Sequence, residues 1–228
     1  MTLLAAAAAL ALTALPGWGQ CSRDLGSEAL AACNRVLADK NLAPADKPEV
    51  LKARADQYRG TQRYAEAAKD LDAAIALKPD FVDAWSLRAE VHKRLGRPDL
   101  ALADYDGVLG LDAQNAGALG WSCMLRGAMG RDLDKGLEHC NVVVASAPQA
   151  SAYSARGLVY LRKGDGANAA KDFDAALALD PKHAPALYLR GVMRALTGDA
   201  AGGKADIDAA AAIDPNVAGL YAAYGVTP

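Results

Sequence analysis

The chain has 228 residues, 25 basic against 27 acidic side chains and a net charge of −2. That balance excludes the basic excess nucleic-acid binding needs, and any strong electrostatic steering. Apolar residues make up 52% but aromatic residues only 6%, with alanine dominant. This suits helices packed through small side chains and argues against a β-sandwich rich in Val, Ile, Thr and rings.

Leu3 to Leu15 is an apolar run of Leu, Ala and one Thr, ending in Pro16-Gly17-Trp18-Gly19-Gln20. It is too short to span a membrane and has the length of a signal-peptide core. Residues 1–19 are therefore read as an export signal, with the small Gly17 and Gly19 placing cleavage before Gln20. No Lys or Arg precedes the run, which departs from the usual signal. The alternatives are a buried Ala-rich helix and a lipid anchor on Cys21, for which Gln20 is a poor preceding residue. Four cysteines in an exported chain point to disulfides in an oxidising, periplasmic or extracellular compartment. Of the three possible pairings, sequence proximity favours Cys21–Cys33 and Cys123–Cys140. With no C-x-x-C and only His92, His139 and His183 as imidazoles, no metal site and no cofactor are expected.

Residues 20–47 read as an N-terminal half-repeat whose second helix is residues 27–39. A ruler then begins. Arg54, Arg88, Arg156 and Arg190 step by 34, 68 and 34, and Asp70, Asp104, Asp172 and Asp206 follow each by 16. A period of 34 exceeds any single helix or strand, so a larger unit repeats. Five units follow, 48–81, 82–115, 116–149, 150–183 and 184–217, each with two helical stretches around a short polar turn. Pro79, Pro148, Pro181 and Pro215 close second helices, because proline lacks the amide donor and clashes with the preceding turn. Ala55, Ala89, Cys123, Gly157 and Gly191 in the first helices face Ala67, Ala101, Ala169 and Gly203 in the second, and let the pair approach closely. Each Arg is expected to pair with an Asp across antiparallel helices, in the same unit or the next. Residues 218–228 read as a C-terminal cap.

The third unit breaks the pattern. Its second helix arrives one residue late, so Ser122 takes the arginine slot and His139 the aspartate slot, with Cys123 and Cys140 beside them. Arginine and aspartate vanish together, as a paired interaction requires. A disulfide there would close a loop of about 15 residues and stabilise by roughly 3 kcal/mol.

These residues resemble the tetratricopeptide repeat, a helical hairpin marked by Trp, Leu-Gly, Tyr, Ala-x-x-x-Phe and Pro. The fourth unit supplies Tyr153, Arg156-Gly157, Tyr160, Ala169, Phe173 and Pro181, and the second supplies Trp85, Arg88-Ala89, His92, Ala101 and Tyr105. The whole chain is similar to exported bacterial proteins of this class with paired cysteines. The resemblance implies an all-α, right-handed superhelix of about five hairpins plus the half-repeat and cap. It also implies a concave groove along the first helices, at Glu49, Lys52, Asp56, Asp83, Ser86 and Glu90 in the first two units. Over units three to five it names Met124, Leu158, Tyr188 and Val192 as apolar anchors for a peptide, with Ser154 among them. Asp56, Glu90, Met124, Leu158 and Val192 stand where the family's carboxylate clamp needs Asn, so capture of a terminal carboxylate is not expected.

No nucleophile elbow, phosphate-binding loop or zincin motif occurs. Acids two apart, such as Asp70 and Asp72, recur once per unit, which a structural position explains and a catalytic dyad does not. The expectation is a non-enzymatic adaptor for a protein or peptide, with no nucleic-acid partner and no membrane span. A homo-oligomerising envelope protein and an accessory cell-wall binder are the alternatives.

Overall fold

The computed structural model describes residues 12–23 and 26–228. The expected export signal lies, through residue 11, outside the described residues. Among those described the chain is all-α: thirteen helices and no strand. They form two compact units, one ending at Ala113 and one beginning at Gln114.

The first unit holds α1 (Trp18–Arg23), α2 (Ser27–Ala38), α3 (Lys47–Gly60), α4 (Tyr64–Leu77), α5 (Val82–Arg94) and α6 (Pro98–Leu111). The second holds α7 (Ala116–Met129), α8 (Leu133–Ser146), α9 (Ala150–Arg162), α10 (Gly166–Leu179), α11 (Ala184–Leu196), α12 (Ala200–Ile213) and α13 (Val217–Ala222). Consecutive helices pack as hairpins, and within each unit a hairpin packs on its neighbour. The expected half-repeat is a hairpin in its own right. Short α1 lies against both α2 and α3, and begins at Trp18, just before the boundary expected at residue 20. No described helix is long and apolar enough to cross a membrane.

Every long hairpin turns through a left-handed residue at one slot of the same ruler, and the third adds a second, Asp132 at φ 45°. Gly96, Gly130, Gly164 and Gly198 have φ of 67°, 66°, 77° and 95°. The first repeat fills that slot with Gln62, at φ 60°. A side chain in this region meets its own backbone, at a cost of about 1–2 kcal/mol. The small positions work as their spacing suggests. Ala55, Ala67, Ala89, Ala101 and Ala169 are fully buried. A Cβ on Gly157 would lie 2.6 Å from the ring of Phe173, and one on Gly191 would lie 2.7 Å from Ile207.

The arginines tie the hairpins together. Nε and Nη2 of Arg54 donate to the two oxygens of Asp70, both at 2.7 Å. Arg156 grips Asp172 at 2.8 Å twice, and Arg190 grips Asp206 at 2.8 and 2.9 Å. Arg88 Nη2 reaches Asp104 at 2.7 Å. The question of partner has a double answer, because Nη1 reaches back to the preceding hairpin. It donates from Arg54 to Asn34 and from Arg88 to Asp72, and from Arg156 to Asn141 and from Arg190 to Asp174, at 2.7–3.0 Å. The recurring second acid is thus the acceptor for the next repeat's arginine.

Asp70, Asp104, Asp172 and Asp206 are buried, and a buried carboxylate stripped of its cation costs about 3–5 kcal/mol. Asp174 is 64% exposed, where an ion pair is worth roughly 0–1 kcal/mol. Arg156→Ala should therefore lower unfolding free energy by about 3 kcal/mol in chemical denaturation, and Asp174→Ala by under about 1 kcal/mol. Gln62→Gly should raise it by about 0.5–1 kcal/mol, since relief of the left-handed strain outweighs the added chain entropy.

Candidate functional site

On α3 the residues two positions from Arg54 point to nearly the opposite side of the helix, at about 100° per residue. Lys52 and Asp56 occupy that side and pair at 2.9 Å. Arg59 bridges Asp56 at 3.1 Å and Glu90 of α5 at 3.5 Å. Glu49 pairs with Lys78 at 3.2 Å. Lys52, Asp56 and Arg59 line a recess of about 440 Å³, closed on its other side by Trp18, Ser22 and Arg23 of α1. Buried Gln57 fixes that wall by donating to the Cys21 carbonyl and accepting from the Gly26 amide, each at 3.2 Å. The Cys21–Cys33 disulfide fastens α1 to α2.

The second unit differs from what the groove slots imply. Met124 is half-buried, but Leu158, Tyr188, Val192 and Ser154 are buried, the first completely. As open anchors these four are therefore corrected. Leu158 packs on the adjacent first helix, where Gly127 of α7 lets α9 come close enough that a Cβ there would touch Leu158 at 3.3 Å. Ser154 spends its hydroxyl on the Ser151 carbonyl and on His183 Nε2, at 3.1 and 3.0 Å. Tyr188 and Val192 share one core with Val217, Tyr221 and Val226 of the C-terminal segment. After α13, Gly225 at φ 65° turns the chain back. Tyr221 stacks on Tyr188 with centroids 5.5 Å apart, and the Tyr188 hydroxyl donates to the Val226 carbonyl at 3.1 Å. The Arg162 guanidinium donates to the Tyr224 carbonyl, to Gly225 at 3.5 Å and to Ala128 of α7 at 2.9 Å. Within the expected cap, α13 ends at Ala222 and residues 224–226 lie against Arg162 of α9 and Tyr188 of α11.

In the third repeat Ser122 and His139 meet, Oγ to Nδ1, at 2.9 Å. The two slots that hold Arg and Asp elsewhere remain in contact when both residues change. The bonded Cys123–Cys140 pair lies alongside, with Cα atoms 5.1 Å apart. Arg126, one turn after Ser122, donates to the Ser122 hydroxyl and is only 2% exposed. Its Nε lies 3.9 Å from the Asp132 carboxylate. Arg126 escaped the sequence reading, although a signal existed. Gly136 stands where the first, second and fourth repeats carry Ala, and a Cβ there would press on Arg126 at 3.1 Å. Ser122 has the contact of a serine–histidine dyad, but with no exposed surface it meets no substrate.

Residues 52–116 and 150–183 match models of the tetratricopeptide repeat. A TPR repeat-containing protein of Rhizobium etli is 28% identical over 105 residues, 46% of this chain and 52% of its own. The chain thus spans about half the length of the curated relative it matches. Among solved structures, YrrB, a TPR protein with an unusual peptide-binding site, is 23% identical with a TM-score of 0.63, over 71% of this chain and 81% of that one. MamA from Desulfovibrio magneticus is 19% identical with a TM-score of 0.65, over 76% and 98%. At these identities the likeness shows the fold.

Burial holds the pKa of His92 and of His183 below the ordinary histidine value. The folded chain binds these protons less readily than the unfolded chain, so stability is present above the unfolded value of about 6.5 and is lost as pH falls through it. Melting temperature should drop between pH 7.5 and pH 5.5, and His92→Gln with His183→Gln should flatten that dependence.

Proposed function

On the premise that this chain is a tetratricopeptide-repeat protein, we propose that it is a non-enzymatic scaffold, docking a segment of another protein on its first helices in an oxidising compartment outside the cytoplasm. The observation that carries the reading is the recess of the first unit, where Lys52, Asp56 and Arg59 present both signs of charge. A segment entering it exchanges ion pairs the protein now makes with itself. The resulting discrimination comes more from charge order than from buried area. Removal of a leader before Gln20 would take Trp18 away and open one wall while leaving the charged side intact. The two disulfides support the compartment, since such bonds persist where thiols are not kept reduced.

Panning a random peptide library against the full chain should enrich segments of mixed charge. Lys52→Glu with Arg59→Glu should weaken them at least about tenfold without loss of helicity. Enriched segments that bind both proteins equally would remove the recess as the docking site.

A further inference from the structure

The C-terminal segment sits on the first-helix side of the second unit, where the groove slots Tyr188 and Val192 lie. Its polar anchoring goes to main chain: Arg162 serves the Tyr224 and Gly225 carbonyls, and the Tyr188 hydroxyl serves that of Val226. Main-chain carbonyls are common to every peptide, so these donors are not specific to this segment. Three side chains of the segment meet the core: the Tyr221 ring on Tyr188, half-buried Tyr224 and, five residues after Tyr221, Val226. Ala222, Ala223, Gly225, Thr227 and Pro228 are exposed. Arg162 is held to α7 by the Ala128 carbonyl independently of the segment. Its Nε is buried without a hydrogen-bond partner among the described residues, so the segment leaves a donor that a better ligand would satisfy. Two buried side chains, half-buried Tyr224 and three carbonyl bonds, set against ordering six residues, make a latch close to balance.

We propose that residues 221–226 are a built-in competitor for a peptide site on α9 and α11. The site takes a partner segment with an aromatic residue and, five positions later, a small aliphatic one, its carbonyls facing Arg162 and Tyr188. This rests on the scaffold reading and names the ligand chemistry of its second-unit face. The covering segment explains why that face is closed, and partner capture requires it to swing away about the exposed Gly219.

The test uses the full chain and a fluorescent peptide copying residues 217–228. Tyr221→Ala with Val226→Asp should open the latch and tighten peptide binding at least about tenfold over wild type, by anisotropy. Adding Arg162→Ala should reverse the gain. A tail variant with wild-type helicity that binds the peptide no better would overturn the proposal. Hydrogen exchange on the wild-type protein gives an answer independent of the variant's folding. Amides of residues 224–226 should exchange at least about 100-fold faster than those of α11, through local opening. Exchange of both at one common rate would make the segment a fixed part of the core and sink the latch. Lys52→Glu with Arg59→Glu should leave peptide binding unchanged. Failure of the latch alone is then library segments captured at the first-unit recess with no response to the tail variant, whereas failure of the scaffold reading is no segment captured at either face.

Discussion

In four of the five repeats one guanidinium holds three helices. Its fork of Nε and Nη2 matches a carboxylate in the partner helix, and the remaining Nη1 reaches the second helix of the preceding hairpin. Lysine, a compact point charge, could satisfy one of these acceptors but not both in fixed directions. The constraint runs outward from there. The carboxylate is buried, so it must keep its cation; the arginine must keep its height on the first helix; the two helices must keep their register. A spacing of 16 within the repeat and 34 between repeats follows. Arginine faces also lie over rings of the same helices, Arg88 over Trp85 at 4.8 Å and Arg156 over Tyr153 at 5.6 Å, so the seam is packed as well as paired.

The seam also decides which surface of the first helices stays exposed. A residue two positions from the arginine points away from it, so Lys52, Asp56 and Glu90 are turned outward by the bond that turns Arg54 and Arg88 inward. Changing the register to improve the seam would move that outward surface with it. The third repeat shows how far the device can bend. The cation moves one turn along, to Arg126, and Ser122 with His139 fills the old slots. A disulfide adds a covalent tie. Asn141 survives two residues after His139 and still accepts from Arg156, so the irregularity does not spread to the fourth repeat.

What was legible in the chain follows from this physics. A pair interaction leaves two residues at every period, so Arg54 with Asp70 and its equivalents could be read without coordinates, as could the small residues wherever two helices touch. The split of each arginine between two hairpins was not legible, because the acceptor alternates between Asp and Asn and Asn34 has no equivalent on the ruler. Burial of Tyr188 and Val192 was hidden for another reason. An apolar residue at a groove slot looks the same in sequence whether water, a partner or the chain itself covers it. The cover here begins with a helix of six residues and turns on Gly225, too short to announce a periodicity and too far from α9 to be inferred locally. Arg126 was readable only through the missing methyl of Gly136.

Both first-helix faces are already satisfied by the protein itself, and this shapes what binding to them can mean. In the first unit Lys52, Arg59 and Glu90 occupy one another through Asp56 and across α3 and α5. In the second unit an aromatic ring and three carbonyls of the same chain cover the apolar floor. Neither face is an empty cavity whose filling is all gain. On the proposed reading a partner replaces internal contacts of the same kind, and its apparent affinity falls in proportion to the fraction of molecules in which the face is free. Segments that merely stick to apolar surface gain little from such an exchange, because the resident contacts already supply that surface. Selection then favours ligands that add what the residents leave out, such as an acceptor for the buried Nε of Arg162, and the same contacts that keep the chain closed become the standard against which a partner is judged.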